Sequence, residues 1–342
     1  MGQIIKLKRP KEDFNDQISN IIDLCQEDLE STNTLILEKL DSKVPLIHDI
    51  ASYLILSGGK RLRPILTSCS FHLVNSKLQY KKNHIGLAAA VEFIHAATLL
   101  HDDVVDESKK RRGNLSANEV WGNKTSVLVG DFLFSRAFQL MTKYGNVEIL
   151  KILSDTSVTI SEGEVLELSN DKDPTINEDV YFEVINGKTA SLFSAACQVG
   201  AISAGASKKD VESLKSFGTN FGMSFQLVDD AIDYSSNNNL LGKNIGDDFK
   251  EGKITLPIIL AYLRSNNQEK KFWDRTIIDL QQSKNDFFKA KEIMQKYSCI
   301  EDTLDRARHF CNVAIDSLGS FTENKYKISL IKLIESSLNR LS

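Results

Sequence analysis

Asp102-Asp103-Val104-Val105-Asp106 and Asp229-Asp230-Ala231-Ile232-Asp233 are two copies of the pattern DDxxD, and each closes a long apolar stretch with helical spacing. Residues four apart share a face of a helix, so Asp102 projects beside Asp106 and Asp229 beside Asp233. Carboxylates about 5 Å apart repel by roughly 3 kcal/mol at an effective dielectric near 20. One such pair is an ordinary solvated helix end. Two of them at the ends of apolar helices call for cations. Mg2+ fits, because it takes one or two carboxylates together with substrate phosphates.

Working outward from these runs, His95, Thr98, Asp102 and Asp106 form one polar stripe, and Gln226, Asp229 and Asp233 form another. A single stripe usually faces solvent. Two of them, flanked by Leu99, Leu100, Phe225, Leu227 and Val228, point instead to a polar cavity, since a solvated face carries more charge. Basic residues gather where phosphates would need partners. Lys60, Arg61 and Arg63 follow Gly58-Gly59, and Arg111 and Arg112 follow the first acidic run. Lys188 and Thr189 lie in Asn186-Gly187-Lys188-Thr189-Ala190, and Lys243, Lys250 and Lys253 follow the second run. Arginine suits bidentate phosphate recognition and lysine a point charge. Any one cluster reads as a solvated basic loop; together they match two diphosphates. Gly187-Lys188-Thr189 is not a P-loop, lacking the upstream glycine and the preceding strand.

The chain has 342 residues, 42% apolar and 26% charged, enough for a large core. A net charge of −4 sets aside nucleic acid as the main partner. The five cysteines are scattered, without CxxC spacing, which fits a reducing compartment; a cytoplasmic location is expected. No apolar run reaches the roughly 18–20 residues that span a bilayer. No secretory h-region opens the chain, and Lys6 breaks the myristoylation pattern after Met1-Gly2-Gln3.

Helical periodicity covers residues 11–40, 46–56, 64–74, 85–106, 116–143, 147–168, 178–204, 207–234, 256–264, 268–282, 286–297, 301–318 and 325–341. A break is expected near Gly218, a capping box at Thr175-Ile176-Asn177-Glu178, and loops at 107–114 and 235–252. There is no convincing β alternation and no linker. The expectation is one all-α domain over 1–342, with 1–40 as an N-terminal helical extension of unread function.

In this order the motifs resemble those of the all-trans isoprenyl diphosphate synthases, the polyprenyl synthase family. The resemblance runs from about residue 45 to the end of the chain. It rests on Gly58-Gly59-Lys60-Arg61-Leu62-Arg63-Pro64, Glu92-Phe93-Ile94-His95, both acidic runs, Arg111-Arg112-Gly113, Gly187-Lys188-Thr189-Ala190, Gly242-Lys243 and Gly252-Lys253. It implies an isoprenoid synthase-type helical bundle around a deep central cavity, usually as a homodimer. It implies a prenyltransferase joining isopentenyl diphosphate to an allylic diphosphate such as farnesyl diphosphate, with three Mg2+ per active site. Asp102, Asp106 and Asp229 match Mg2+ ligands, with Asp103, Asp230 and Asp233 in support. Lys60, Arg63, His95 and Arg112 match positions around isopentenyl diphosphate. Arg111, Lys188, Thr189, Gln226, Lys243 and Lys253 match positions around the allylic diphosphate. That chemistry needs no side-chain nucleophile, in keeping with the lack of a Ser-His-Asp or Cys-His arrangement.

Members with short products tend to carry an aromatic residue four or five positions before the first aspartate. Thr98 and Ala97 stand there, both small, so the chain-length cavity is expected to be open. The stretch from Ile94 to Ser108 most resembles octaprenyl, solanesyl and decaprenyl synthases, whose products become quinone side chains. By that analogy the product has about eight to ten isoprene units. The alternative is a farnesyl or geranylgeranyl synthase. A non-catalytic partner subunit would have lost aspartates or basic residues, a terpene cyclase would not need Lys60, Arg63 and His95, and a di-iron bundle would need Glu-x-x-His pairs. A long product is compatible with transient membrane contact at release, though no segment demonstrates it.

Overall fold

The structure is a computed structural model that describes residues 13–74, 81–235 and 246–341. Lys243 lies outside the described residues. The helices run α1 (Phe14–Leu24), α2 (Gln26–Lys39), α3 (Pro45–Leu56), α4 (Leu62–Val74) and α5 (His84–Val105). A two-residue pairing, β1 (Lys110–Arg111) with β2 (Asn114–Leu115), leads to α6 (Ala117–Trp121), α7 (Asn123–Tyr144), α8 (Val147–Ser169) and α9 (Glu178–Ile185). A π-turn (Asn186–Ala190) precedes α10 (Ser191–Ser203) and α11 (Lys208–Asp233). The chain closes with α12 (Asp247–Glu251), α13 (Leu256–Arg264), α14 (Asn267–Trp273), a second π-turn (Asp274–Ile278), α15 (Asp286–Lys296), α16 (Cys299–Ser317) and α17 (Lys325–Leu338). The all-α expectation holds.

Local chemistry explains many of the boundaries. Pro45 and Pro257 sit in the first turns of α3 and α13, where the missing N–H is harmless. Asn146, Asn177, Ser207 and Asn324 accept backbone N–H groups at the starts of α8, α9, α11 and α17. The first acidic run ends α5 and the second ends α11, and α10 packs against both helices. Ala88, Ala89, Ala90, Ala96 and Ala97 are all buried, so α5 can approach α7 and α4 closely. Phe217, Phe221 and Phe225 stand four apart on α11, and Phe193 of α10 packs on the last two with ring centroids 5.4 and 5.8 Å away. Each such pair contributes about 0.5–1.5 kcal/mol beyond its buried area.

Several expectations need correction. The 11–40 helix breaks at Cys25 (φ −110°, ψ 14°). Gly218 does not break α11. A Cβ there would lie 2.7 Å from the Phe193 carbonyl oxygen and the Ser194 Cα, so the glycine permits a close α10–α11 crossing. Asn177, not Thr175, caps α9, and the Thr175 hydroxyl donates to Asp173 at 2.6 Å; the capping box present is Asn266 with Glu269. The 107–114 loop runs into the β1–β2 pairing, and α12 interrupts the 235–252 loop. By length and composition α5 could cross a membrane, contrary to the expectation that no run is long enough; 72% of its apolar window is buried inside the protein, which makes it a core helix.

Candidate active site

The first acidic run holds Asp102 in the last turn of α5 and Asp106 at its C-cap. Asp103 is fully buried, and Arg111 Nε donates to its Oδ1 at 2.7 Å. Its other oxygen, Oδ2, has no hydrogen-bond partner. The β1–β2 pairing returns Arg111 to this position. Arg112, at φ +53°, turns the other way and donates to the Gly58 carbonyl. Two consecutive arginines thus serve two places. Gly59 sits at φ +135°, a backbone conformation that L side chains rarely adopt, and the Arg112 guanidinium packs close over it.

The Gly58-Gly59 turn opens onto a basic group. Arg61 (φ +50°) pairs with Glu92 at 2.5 Å and donates to the Ile55 carbonyl at 3.0 Å. Arg63 stacks on Phe193 with Cζ 4.7 Å from the ring centre, and its Nε has no partner. Burial lowers the Arg63 pKa to about 10, with Glu92 opposing. Burial, then Arg63 and Arg112, hold His95 well below the usual histidine range, so its ring is neutral. Lys60 Nζ lies 4.3 Å from the Phe14 ring centre. Burial and neighbouring Arg340 lower its pKa to about 8, against the pull of Asp229. Arg63, His95 and Arg112 are therefore electrostatic neighbours, whereas Lys60 feels Arg340 and Asp229.

The second acidic run divides its aspartates among different partners. Asp229 pairs with Arg340 at 2.6 Å, just beyond α17. The Arg340 guanidinium is sandwiched near Phe225 (4.8 Å) and Phe14 (5.2 Å). Asp230 is buried, accepting from Tyr181 at 2.5 Å and from Gln226 Nε2 at 2.8 Å, while Thr189 donates to Gln226 Oε1 at 3.0 Å. Burial and Asp248 raise the Asp230 pKa to about 7, with Tyr181 and Gln226 opposing. The Asp233 carboxylate accepts the Asp248 N–H at 3.1 Å.

Two lysines stand near the first acidic run. Lys253 Nζ lies 3.5 Å from Asp106 Oδ2 and 3.0 Å from Glu251. Lys188 pairs with Glu164 at 2.8 Å and with Glu167. Burial works against the charge on both, but Glu167 and Glu164 raise the Lys188 pKa, and Asp106 and Glu251 raise that of Lys253. Lys188 rides on the first π-turn, which packs glycine to glycine on α8: a Cβ on Gly187 would lie 2.8 Å from the Gly163 Cα. Single π-turns inside helices often mark functional positions. A cavity of about 450 Å3 opens here, lined by Asp106, Glu164, Glu167, Tyr181 and Lys253 among others.

The donor set suits a divalent cation with hard oxygen preference. Burial, then Glu164, raise the Asp102 carboxyl to about pKa 7 against Lys188 and Arg111, so negative charge is locally in excess. The unpartnered buried Asp103 oxygen adds to that excess. Ala97 is fully buried in α5, and Thr98, one turn before Asp102, is half-buried and donates to the His95 carbonyl at 2.9 Å. Glu164, Glu167, Tyr181, Arg340 and Phe14 escaped the sequence reading, and Glu92, quoted there only within a motif, pairs with Arg61. Glu164 and Glu167 stand three apart on one helix face, a visible signal. Arg340 and Phe14 come from opposite ends of the chain and give none.

The family described as Polyprenyl synthetase matches residues 44–295. Octaprenyl diphosphate synthase of Haemophilus influenzae is 41% identical over 324 residues, covering 94% of this chain and 97% of that protein. The Escherichia coli octaprenyl diphosphate synthase is 40% identical over 324 residues, 94% of this chain and 99% of that one. The crystal structure of a Caulobacter crescentus polyprenyl synthase, complexed with calcium and isoprenyl diphosphate, superposes with a TM-score of 0.91 at 42% identity over 98% of this chain and 100% of that chain. A decaprenyl diphosphate synthase from Rhodobacter capsulatus gives 0.90 at 42% identity over 95% and 99%.

Proposed function

The chain belongs to the polyprenyl synthetase family, the trans-prenyltransferases, and from that premise we propose that it is a long-chain polyprenyl diphosphate synthase. It extends farnesyl diphosphate by successive trans condensations with isopentenyl diphosphate, to about eight to ten isoprene units, for quinone side chains. The observation that carries this is the convergence of two lysines from different segments on the first acidic helix end, Lys253 reaching Asp106 and Lys188 held by Glu164 near Asp102.

In this reading Lys188, Thr189, Gln226, Lys253 and Arg111 hold the allylic diphosphate, with Lys243. Lys60, Arg63, Arg112 and neutral His95 hold the isopentenyl diphosphate. Asp102, Asp106 and Asp229 would hold Mg2+, three ions per site, which would stabilise charge on the departing diphosphate. Asp103 keeps Arg111 in place and Asp230 keeps Gln226 in place; Asp233 anchors the chain that follows α11. Leu100, Leu227 and Val228 are buried beside the acidic ends and keep the allylic cation from water. The isopentenyl double bond attacks, and the proton then leaves to the released diphosphate. Arg340 pairs with Asp229 in the resting site and would yield that carboxylate to the ions.

A homodimer is part of the proposal. Phe138, Val158 and Val165 are exposed on α7 and α8 around an apolar groove of about 770 Å3, more than scattered surface residues would give. Labelled isopentenyl diphosphate tests the reaction directly. Incorporation into an organic-soluble product with farnesyl diphosphate and Mg2+ is expected, and none at all would defeat the proposal. Light scattering at twice the chain mass supports the dimer, and a monomeric mass refutes it.

A further inference from the structure

A second polar cluster lies outside the acidic cavity, where four helices meet. Asp28 comes from α2, Ser68 and His72 from α4, His84 from the first position of α5, and Tyr326 from α17. Asp28 and His84 are 4% and 0% exposed. The Nε2 atoms of His72 and His84 lie 2.6 and 2.8 Å from Asp28 Oδ2, and the Ser68 hydroxyl donates to the same oxygen at 2.6 Å. One carboxylate oxygen has two in-plane lone pairs, so three donors oversubscribe it. Meanwhile His84 Nδ1 is buried without a partner. Both rings are fixed by stacking, His84 on Phe71 at 3.7 Å and His72 on Tyr326 at 4.8 Å between centroids. None of these residues serves the prenyl transfer described above.

We propose that Asp28, His72 and His84 form a binding site for one transition-metal dication of the zinc type. One ligand atom from each lies within 4.8 Å of the other two. Two imidazole nitrogens and one carboxylate are a set that Zn2+ accepts and that Mg2+, which prefers oxygen, does not. Zinc bonds of about 2.0–2.1 Å put tetrahedral ligand atoms roughly 3.3 Å apart, so the two nitrogen–oxygen separations grow by about 0.5–0.7 Å on binding. That shift also relieves the crowded oxygen. Lys82 approaches Oδ1 of Asp28 at 3.7 Å from the solvent edge, while Glu27 draws it outward at 2.5 Å, which marks the way in. The site is empty. An ion there would clasp the N-terminal extension to α4, which carries Arg63, and to α5, which ends in Asp102. The extension would then act as a metal-fastened brace for the catalytic helices.

The test uses the full-length protein, stripped of metal and kept in excess Mg2+ so that the aspartate motifs are served. Titration with Co2+ is expected to give one equivalent with visible bands of nitrogen-ligated cobalt, displaced by Zn2+, and Zn2+ alone is expected to raise Tm. His72→Gln should weaken binding at least tenfold and abolish the Tm gain, and Asp102→Ala should leave both intact. Absence of the bands in the parental protein overturns the proposal. So does a His72→Gln protein that binds as the parent does, or an Asp102→Ala protein that loses the bands. Should His72→Gln not fold, ring-nitrogen NMR of the parental protein decides: two histidines shift on adding Zn2+, or the proposal fails.

Discussion

Gly163→Ala probes the placement of Lys188 without touching a charged residue. A Cβ at Gly163 would lie 2.9 Å from the Gly187 Cα and 3.0 Å from the Lys188 nitrogen. Both are backbone atoms and cannot swing aside, so α8 and the π-turn must part by about 0.5 Å or more to restore ordinary contact. Alanine gains about 1 kcal/mol of helix propensity inside α8. Overpacking costs about 1–3 kcal/mol, so stability falls by roughly 0–2 kcal/mol and Tm by a few degrees. Catalysis should suffer more than stability, because Lys188 and Thr189 move with the turn. Displacement on the order of 1 Å can cost about a hundredfold in rate, so a drop of roughly tenfold in kcat is expected. The KM for isopentenyl diphosphate should stay within about twofold, since Lys60, Arg63 and His95 sit on other segments. Initial rates with farnesyl diphosphate, alongside urea denaturation, measure both. A folded Gly163→Ala enzyme with parental kcat would refute the reasoning, as would a change confined to the isopentenyl diphosphate KM.

Asp102→Ala should abolish turnover while circular dichroism retains the helical signal; normal turnover would remove Asp102 from the metal ligands. Lys60 should be charged below its pKa of about 8 and lose that charge above it, so kcat/KM for isopentenyl diphosphate holds below pH 8 and falls as pH rises further. Because Arg340 contributes to that low pKa, Arg340→Met should move the falling limb to higher pH, and an unmoved limb would break the link between the two. Thr98→Phe sets an aromatic ring one turn below Asp102 and should shorten the product; an unchanged product distribution would take Thr98 out of the chain-length cavity.

The acidic helix ends were legible because helical period and apolar content act locally. The helical character of α5 and α11 follows from that spacing. What escaped depends on contacts between distant segments. Gly218 looks like a break by propensity, yet the approach of Phe193 and Ser194 overrides it. Residues 186–190 read as continuous helix, and only the Gly163–Gly187 contact accounts for glycine at both positions. Asp229 and Asp233 share a helix face, but Arg340 takes one and the Asp248 backbone the other. Arg111 and Arg112 look equivalent in sequence; a positive φ at Arg112 sends them to opposite sides of the site.

The central claim is the length of the product. The purified enzyme, given farnesyl diphosphate, excess isopentenyl diphosphate and Mg2+, should accumulate chains of about eight to ten isoprene units, resolved by reversed-phase chromatography after dephosphorylation. A product that stops at farnesyl or geranylgeranyl diphosphate, with the same substrates still in excess, would contradict it.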